Sequence, residues 1–301
     1  MAFEVRTDLA LESGERIFKE PIEIYGVRIE EKQSEYENIK TTMVYIESEN
    51  GSKAMGKPQG CYITIEAMDL LDGEDEYREL VEREMARQIR YLFPAKQEEN
   101  SVLVVGLGNQ NITPDALGPW TVERLQITRH LIRNYGKECL DIETPYEVSA
   151  LTPGVMASTG MESLEIIKGV VEETKPDLVI VVDALAARGL KRLGRTIQMT
   201  DTGIHPGSGV GNHRNGITKE SLHVPVLGIG VPTVVDAATI VCDAMEHMME
   251  CLEPIERKHF LEEMLTPNLR SMFVTPRDVD ESVRILSRTI ANGINRAFQC
   301  V

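Results

Sequence analysis

Two aspartates stand where an open α/β sheet would present them for chemistry. The apolar run Val102-Leu103-Val104-Val105 passes into a loop, Gly106-Leu107-Gly108-Asn109-Gln110-Asn111-Ile112-Thr113-Pro114-Asp115, and the run Leu178-Val179-Ile180-Val181-Val182 ends directly in Asp183. Ligands of such sheets bind beyond the carboxyl ends of the strands, so if the two strands are parallel neighbours, both carboxylates emerge on one rim. Two carboxyl groups a few ångströms apart cannot ionise independently; one keeps a proton while the other acts as base. Such a pair can activate water against an amide and protonate the leaving nitrogen. The plainer alternative is that Asp115 caps a helix and Asp183 satisfies loop amides, and pattern alone favours it, because caps are commoner than active sites.

A second stretch, Asp201-Thr202-Gly203-Ile204-His205-Pro206-Gly207-Ser208-Gly209-Val210-Gly211-Asn212, is rich in glycine. It reads either as backbone that lets a ligand approach closely or nests an anion, or as an ordinary loop with several positive-φ positions. No Gly-Lys-Ser/Thr follows it, and Asn111 stands where Rossmann spacing after Gly106-Leu107-Gly108 requires a third glycine. The six histidines never form H-E-x-x-H or another tight ligand pair, so no metal is expected, although a site assembled from distant loops stays open. Ser158 lacks the leading glycine of a nucleophile elbow.

The elements that must position these residues alternate. Residues 22–30, 39–48 and 61–66 are β-rich runs separated by turn formers such as Glu49-Asn50-Gly51-Ser52. A helix follows over 74–92, with Val81, Met85, Ile89 and Leu92 on one face. Helices are predicted over 121–135, 163–174, 237–252 and 278–298, and strands over 102–105, 178–182, 196–199 and 224–229. The expected fold class is α/β: a mostly parallel, doubly wound sheet flanked by helices, with an N-terminal β-rich elaboration.

Composition bounds the partners. With 48 acidic and 32 basic residues among 301, the net charge is −16, a field repulsive to phosphate and anionic lipid. Direct binding to nucleic acid or membrane is therefore not expected. Five cysteines without a C-x-x-C pair, and no apolar run of signal or membrane-spanning length, point to a reduced, cytoplasmic setting.

Longer motifs carry a family resemblance. Val5-Arg6-Thr7-Asp8-Leu9-Ala10, Gly106-Leu107-Gly108-Asn109 with Thr113-Pro114-Asp115-Ala116-Leu117-Gly118-Pro119, and Ser149-Ala150-Leu151-Thr152-Pro153-Gly154-Val155-Met156 are three of them. Asp183-Ala184-Leu185-Ala186, the glycine-rich stretch from Asp201 and Gly228-Ile229-Gly230-Val231-Pro232-Thr233-Val234-Val235-Asp236-Ala237 complete the set. Together they resemble the germination endopeptidases of spore-forming bacteria, which degrade small acid-soluble spore proteins. The resemblance implies an atypical aspartic endopeptidase of the spore core, without metal or organic cofactor, in which Asp115 and Asp183 are catalytic. It also implies a core like that of hydrogenase-maturation proteases, a homotetramer, and an inactive precursor that clips its own N-terminus.

Substrate sites of the family read Thr-Glu, an apolar residue, then Ala-x-Glu, cut after the first acidic residue. Thr7-Asp8-Leu9-Ala10-Leu11-Glu12 imitates that form, which places the processing site between Asp8 and Leu9. Without the resemblance this segment would read as a frayed terminus. The implied layout is a propeptide over 1–8, a β-rich region over 9–73 and a catalytic core over 74–301. An acidic residue before the cut calls for a cationic or N–H-rich subsite; Arg188, Arg195, His205, Arg214, or the glycine loop with Gly207 and Gly209, could supply it. The chain departs from many relatives in being shorter between Glu253 and Pro276. Two other readings stay open: a metal-dependent peptidase, and a non-catalytic acidic protein that binds spore proteins.

Overall fold

The computed structural model describes residues 25–33, 38–94, 101–140, 146–187, 189–207, 215–245, 269 and 272–298. The described residues begin with strands β1 (Val27–Gln33) and β2 (Ile39–Ile46), helix α1 (Glu49–Met55), strand β3 (Gly60–Ala67) and helix α2 (Asp75–Leu92). Next come β4 (Ser101–Gly106), a 3-10 turn at Thr113–Asp115, α3 (Leu117–Val122), α4 (Arg129–Tyr135), β5 (Glu147–Leu151), α5 (Met156–Thr159) and α6 (Ser163–Thr174). The remainder supplies β6 (Leu178–Ala187), β7 (Thr196–Thr200), α7 (Lys219–Leu222), β8 (Val226–Asp236), α8 (Ala237–Ala244), β9 (Phe273–Val274) and α9 (Val279–Phe298).

One sheet contains all nine of these strands, in the order β1-β2-β3-β7-β8-β6-β4-β5, with β9 attached to β8. The expected parallel centre is the block β5-β4-β6-β8. The N-terminal strands extend this block antiparallel through the β3–β7 and β7–β8 pairings, so the described β-rich elaboration shares the central sheet.

Two different layers cover the sheet. On one face α2 and α9 lay Val81, Met85, Ile89, Val283, Leu286, Ile290 and Ile294 against Ile63, Ile65, Val104, Ile180, Val182 and Ile229. Burying each such side chain fully contributes about 1.5–3 kcal/mol. Between the two helices Glu82, almost fully buried, accepts Asn292 Nδ2 at 2.7 Å and Arg296 Nε at 3.0 Å. On the other face α6 and α7 cover Leu103, Val105, Val179 and Val181 at one side, while Met55 of α1 covers Val44, Ile46 and Tyr62 at the other. The floor between these two covers carries the candidate site.

Four sequence expectations change. The strand expected over 178–182 runs on to Ala187, which puts Asp183 inside it and not at its end. The helix expected over 121–135 is two helices, because Thr128 turns to dock on β5: its N–H donates to the Val148 carbonyl at 3.1 Å and its Oγ1 accepts Val148 N–H at 2.9 Å. The turn expected at 49–52 opens helix α1, whose first turn is closed by Ser48 Oγ accepting Gly51 N–H at 3.1 Å. The strand expected over 224–229 runs on to Asp236 through Pro232. A proline is tolerated there because the β7 ladder has already ended at Gln198↔Gly230, and the Pro232 carbonyl accepts Gly194 N–H at 2.8 Å instead. Of the helix expected over 237–252, the part beyond residue 245 lies outside the described residues.

Candidate active site

Asp183 and Asp115 line the same cleft, a cavity of about 770 Å³. Asp183 sits within β6 on the face opposite α2 and α9; it is 9 % exposed, and its Oδ1 accepts the N–H of Ala184 at 3.0 Å. Directly beside it in β8 is Gly230, and beside Gly230 in β7 is Gln198, so these three residues form one lateral row on the cleft floor. Past Asp183 the β6–β8 register shifts between Leu185 and Ala186, a bulge of the kind that re-aims side chains beside functional sites.

Asp115 closes the 3-10 turn after β4. It does not cap α3, whose N-cap is Ala116; its Oδ2 accepts instead the N–H of Asn109, back along the loop, at 2.7 Å. The loop can fold back because Gly108 has φ +113°, and a Cβ there would lie 1.9 Å from the Asp115 carbonyl oxygen. Backbone-to-backbone packing then brings this loop against β6. Leu107 N–H donates to the Val182 carbonyl at 2.8 Å, and a Cβ on Gly118 would lie 2.6 Å from that same carbonyl oxygen. Each acidic residue is thus positioned by main chain, with Val182, the neighbour of Asp183, as the joint.

The cleft opens where, among the described residues, no helix covers the second face. One wall is the turn Gly56-Lys57-Pro58 after α1, and the other is Gly154, Val155 and Ser163 before and at the start of α6. A chain of hydroxyls runs along the floor: Thr200 Oγ1 and Thr202 Oγ1 share a hydrogen bond of 2.9 Å, and Thr202 Oγ1 donates to Tyr62 Oη at 3.3 Å. Tyr62 in turn donates to the Pro58 carbonyl at 2.9 Å. Burial pushes the Tyr62 hydroxyl up to about 12, so it stays a neutral donor and acceptor.

Among the other expected site residues, His205 and Gly207 line the cleft. Arg195 does not; its guanidinium pairs with Asp72 at 2.8 Å on the surface. Arg188, Gly209, Arg214, Asp8 and Leu9 lie outside the described residues. Asp201 of the glycine-rich stretch is structural, its Oδ1 accepting Cys61 N–H at 2.8 Å. Burial, with Asp201 adding to it, pushes the Cys61 thiol up to about 12, which leaves it protonated and poorly nucleophilic. Among the described residues no group of three or more His, Cys, Asp or Glu is placed to hold a metal ion, and no helix is long and apolar enough to cross a membrane.

Sequence reasoning missed Lys57, Tyr62, Gln198, Thr200 and Thr233, all of which line the cleft. The alternation of polar and apolar residues in Thr196-Ile197-Gln198-Met199-Thr200 is the one signal that could have placed Gln198 and Thr200 on the face opposite Ile197 and Met199.

Comparison with known proteins bears on what such a cleft does. The family model for germination proteases matches residues 2–254. The germination protease of Caldanaerobacter subterraneus subsp. tengcongensis is 47 % identical over 315 aligned positions, covering 98 % of this chain and 94 % of that protein. That of Clostridium perfringens (strain SM101) is 44 % identical, covering 99 % and 96 %. The one from Geobacillus sp. (strain WCH70) is 38 % identical, with 98 % and 94 % covered; the 354 aligned positions exceed the length of this chain, so that relative carries residues absent here. Matched along nearly all of its length by proteins of one name and one activity, this chain belongs to the germination protease family and is a peptidase.

Proposed function

We propose that the protein is an endopeptidase that hydrolyses small acid-soluble spore proteins after an acidic residue during germination, with Asp115 and Asp183 as its hydrolytic pair. The observation that carries this reading is the convergence of the two carboxylates, from the adjacent parallel strands β4 and β6, on one cleft with a polar floor. In the reaction one carboxylate takes a proton from a water molecule as its oxygen attacks the scissile carbonyl carbon. The other, protonated, stabilises the developing oxyanion, and a proton passes to the leaving nitrogen as the C–N bond breaks. Neither lysine nor thiol is needed as nucleophile, which accords with the high Cys61 pKa.

The same site acts on the chain itself in this reading. Cleavage between Asp8 and Leu9 removes residues 1–8 as a propeptide and leaves the β-rich region from residue 9 and the core from residue 74 as the mature enzyme. The enzyme works without a bound metal or organic cofactor, as a homotetramer in the cytoplasm of the spore core. Its net charge of −16 keeps it off DNA, so it meets substrate that is free or loosely held.

Intact-mass analysis after mild acidification tests the reading. Wild-type protein loses its first eight residues and Asp183→Asn does not; the same clip in both proteins would refute self-processing. Cleavage of spore protein by the wild type is unaffected by a chelator and falls at least about 10³-fold in Asp115→Asn and in Asp183→Asn, with the double variant no worse than either, as expected for residues acting as a unit. Light scattering coupled to size exclusion tests the tetramer.

A further inference from the structure

The chain contains three Asn-Gly pairs, Asn50-Gly51, Asn215-Gly216 and Asn292-Gly293. In such a pair the main-chain nitrogen of glycine can reach the asparagine Cγ, because no side chain hinders the approach and the glycine backbone adopts the turn that it needs. Attack closes a five-membered succinimide; the bond from Cγ to Nδ2 breaks, and ammonia leaves with the proton lost from the glycine nitrogen. Water then adds to one of the two ring carbonyls and opens the ring to aspartate or isoaspartate. The balance is one water in and one ammonia out, with no oxidant or reductant.

The fold sorts the three pairs. Asn50 and Gly51 lie in the first turn of α1, where Gly51 is buried and its N–H donates to Ser48 Oγ at 3.1 Å. Asn292 and Gly293 lie inside α9, with Gly293 buried against Met85 and Asn292 Nδ2 donating to Glu82 Oε1 at 2.7 Å. In both pairs the attacking nitrogen is fixed in helical geometry, and the helix must open locally before that nitrogen can turn towards Cγ. Asn215 differs: it is exposed and outside any helix or strand, and the Gly216 N–H makes no backbone hydrogen bond to a described residue.

Position gives the reaction a consequence. Asn215 Nδ2, the nitrogen that leaves, donates to Glu162 Oε2 at 2.6 Å. Glu162 is the N-cap of α6, where its side chain also accepts Glu165 N–H, and Ser163 next to it lines the cleft. On the other side, Gly216 packs on His205, a Cβ there lying 2.7 Å from His205 Nε2, and Ile217 exchanges two backbone hydrogen bonds with Ile204, at 2.8 and 3.0 Å. Ile204 and His205 line the cleft as well. The Asn215 side chain thus ties the end of the glycine-rich stretch to α6, one lining of the cleft to another. We propose that Asn215 is a deamidation site, and that its conversion replaces this tether by repulsion between two carboxylates and frees the glycine-rich stretch from α6. Isoaspartate adds to this by lengthening the main chain by one carbon just before the bridge from Ile217 to Ile204.

The test incubates the full-length wild-type protein in mildly alkaline buffer and follows its tryptic peptides by mass. Deamidation adds about 1 Da, and fragmentation separates aspartate from isoaspartate. The peptide that carries residue 215 converts at least about 10-fold faster than those that carry Asn50 and Asn292, because these must first open a helical turn. In urea the three rates come together, and Asn215→Gln abolishes the fast conversion. A conversion at Asn215 no faster than at Asn50 or Asn292 in the native protein overturns the modification site. Asn215→Asp makes the aspartate product directly. In it the amides of Ile204, Ile217 and Glu165 exchange with deuterium about fivefold faster or more than in wild type, the effect of losing about one net hydrogen bond, and added salt narrows the difference. Unchanged exchange overturns the release. If Asn215→Asp fails to fold, the converted wild-type protein, separated by its extra negative charge, gives the same reading. Peptide cleavage is not the readout, so the result is independent of the roles of Asp115 and Asp183.

Discussion

Thr233 Oγ1 donates a hydrogen bond of 2.6 Å to the carbonyl of Pro114, and this bond ties the loop that carries Asp115 to β8, the strand paired with the one that carries Asp183. Thr233 is buried. Thr233→Val keeps the shape and leaves the Pro114 carbonyl without this donor, at a cost of about 1–3 kcal/mol. With Asp115 in the proposed hydrolytic pair, the expected outcome is a fall in kcat of about 10-fold or more with a smaller change in KM, since the loop that carries it loses its tether. Thr233→Ser restores both, as steady-state kinetics and urea unfolding would show; a silent Thr233→Val would mean that the tether is dispensable.

Gly108→Ala combines a left-handed backbone with a methyl group placed 1.9 Å from the Asp115 carbonyl oxygen. The loop must move, and a displacement of about 1 Å at a reacting group costs on the order of 10² in rate. The protein should still fold, because Gly108 and the loop beyond it to Asp115 are not buried, with a stability loss of about 1–3 kcal/mol. Thermal unfolding beside peptide cleavage separates the two effects.

Glu84 gives the fold an acid-sensitive point. Burial alone would raise its pKa, but hydrogen bonds from Arg87, Gln88 and Thr41 together outweigh that and hold it below its ordinary value. A carboxyl whose pKa is lower folded than unfolded stabilises the fold fully above its unfolded value, and this contribution disappears as pH falls through the folded value. Unfolding free energies of wild type and Glu84→Gln should therefore differ by a constant amount above about pH 5 and converge below it. A difference that grows on acidification would contradict this.

Cys61 and Cys139 offer a chemical contrast. The first is buried with its thiol pushed up to about 12, and the second is exposed. Brief iodoacetamide treatment of native protein at pH 8 should alkylate Cys139 and leave Cys61 unmodified, because only the thiolate reacts and almost none exists at Cys61. Peptide mass mapping reads the result, and unfolding in urea should abolish the difference.

The parts of the site legible in the sequence were those that a single strand end presents. Val102-Leu103-Val104-Val105 and Leu178-Val179-Ile180-Val181-Val182 are continuous apolar runs, the mark of strands buried on both faces, and whatever follows such runs reaches the rim. Asp115 was visible for that reason; Asp183, expected at a strand end, lies within β6 and reaches the same cleft from the strand face opposite α2 and α9. Lys57, Tyr62 and Gln198 were not visible, because nothing local tells β3 to lie beside β7; the pairing Tyr62↔Thr200 joins residues far apart in the chain. Helix α1 was hidden by Asn50-Gly51-Ser52, three poor helix formers held helical by the Ser48 cap and by burial of Met55. Strand β8 was cut short at Ile229, ahead of Pro232, since only the end of the β7 ladder reveals that the missing N–H of that proline has no partner to serve.

The antiparallel seam between β3 and β7 also sets when the molecule can first work. A ribosome delivers β1, β2 and β3 early, yet the strand that receives them begins at Thr196, and the last wall of the cleft, Phe273 to Thr275, comes later still. Contacts so distant along the chain form slowly and only after both partners have emerged. A nascent chain therefore carries Asp115 and Asp183 before the strands and walls that complete the cleft around them have emerged.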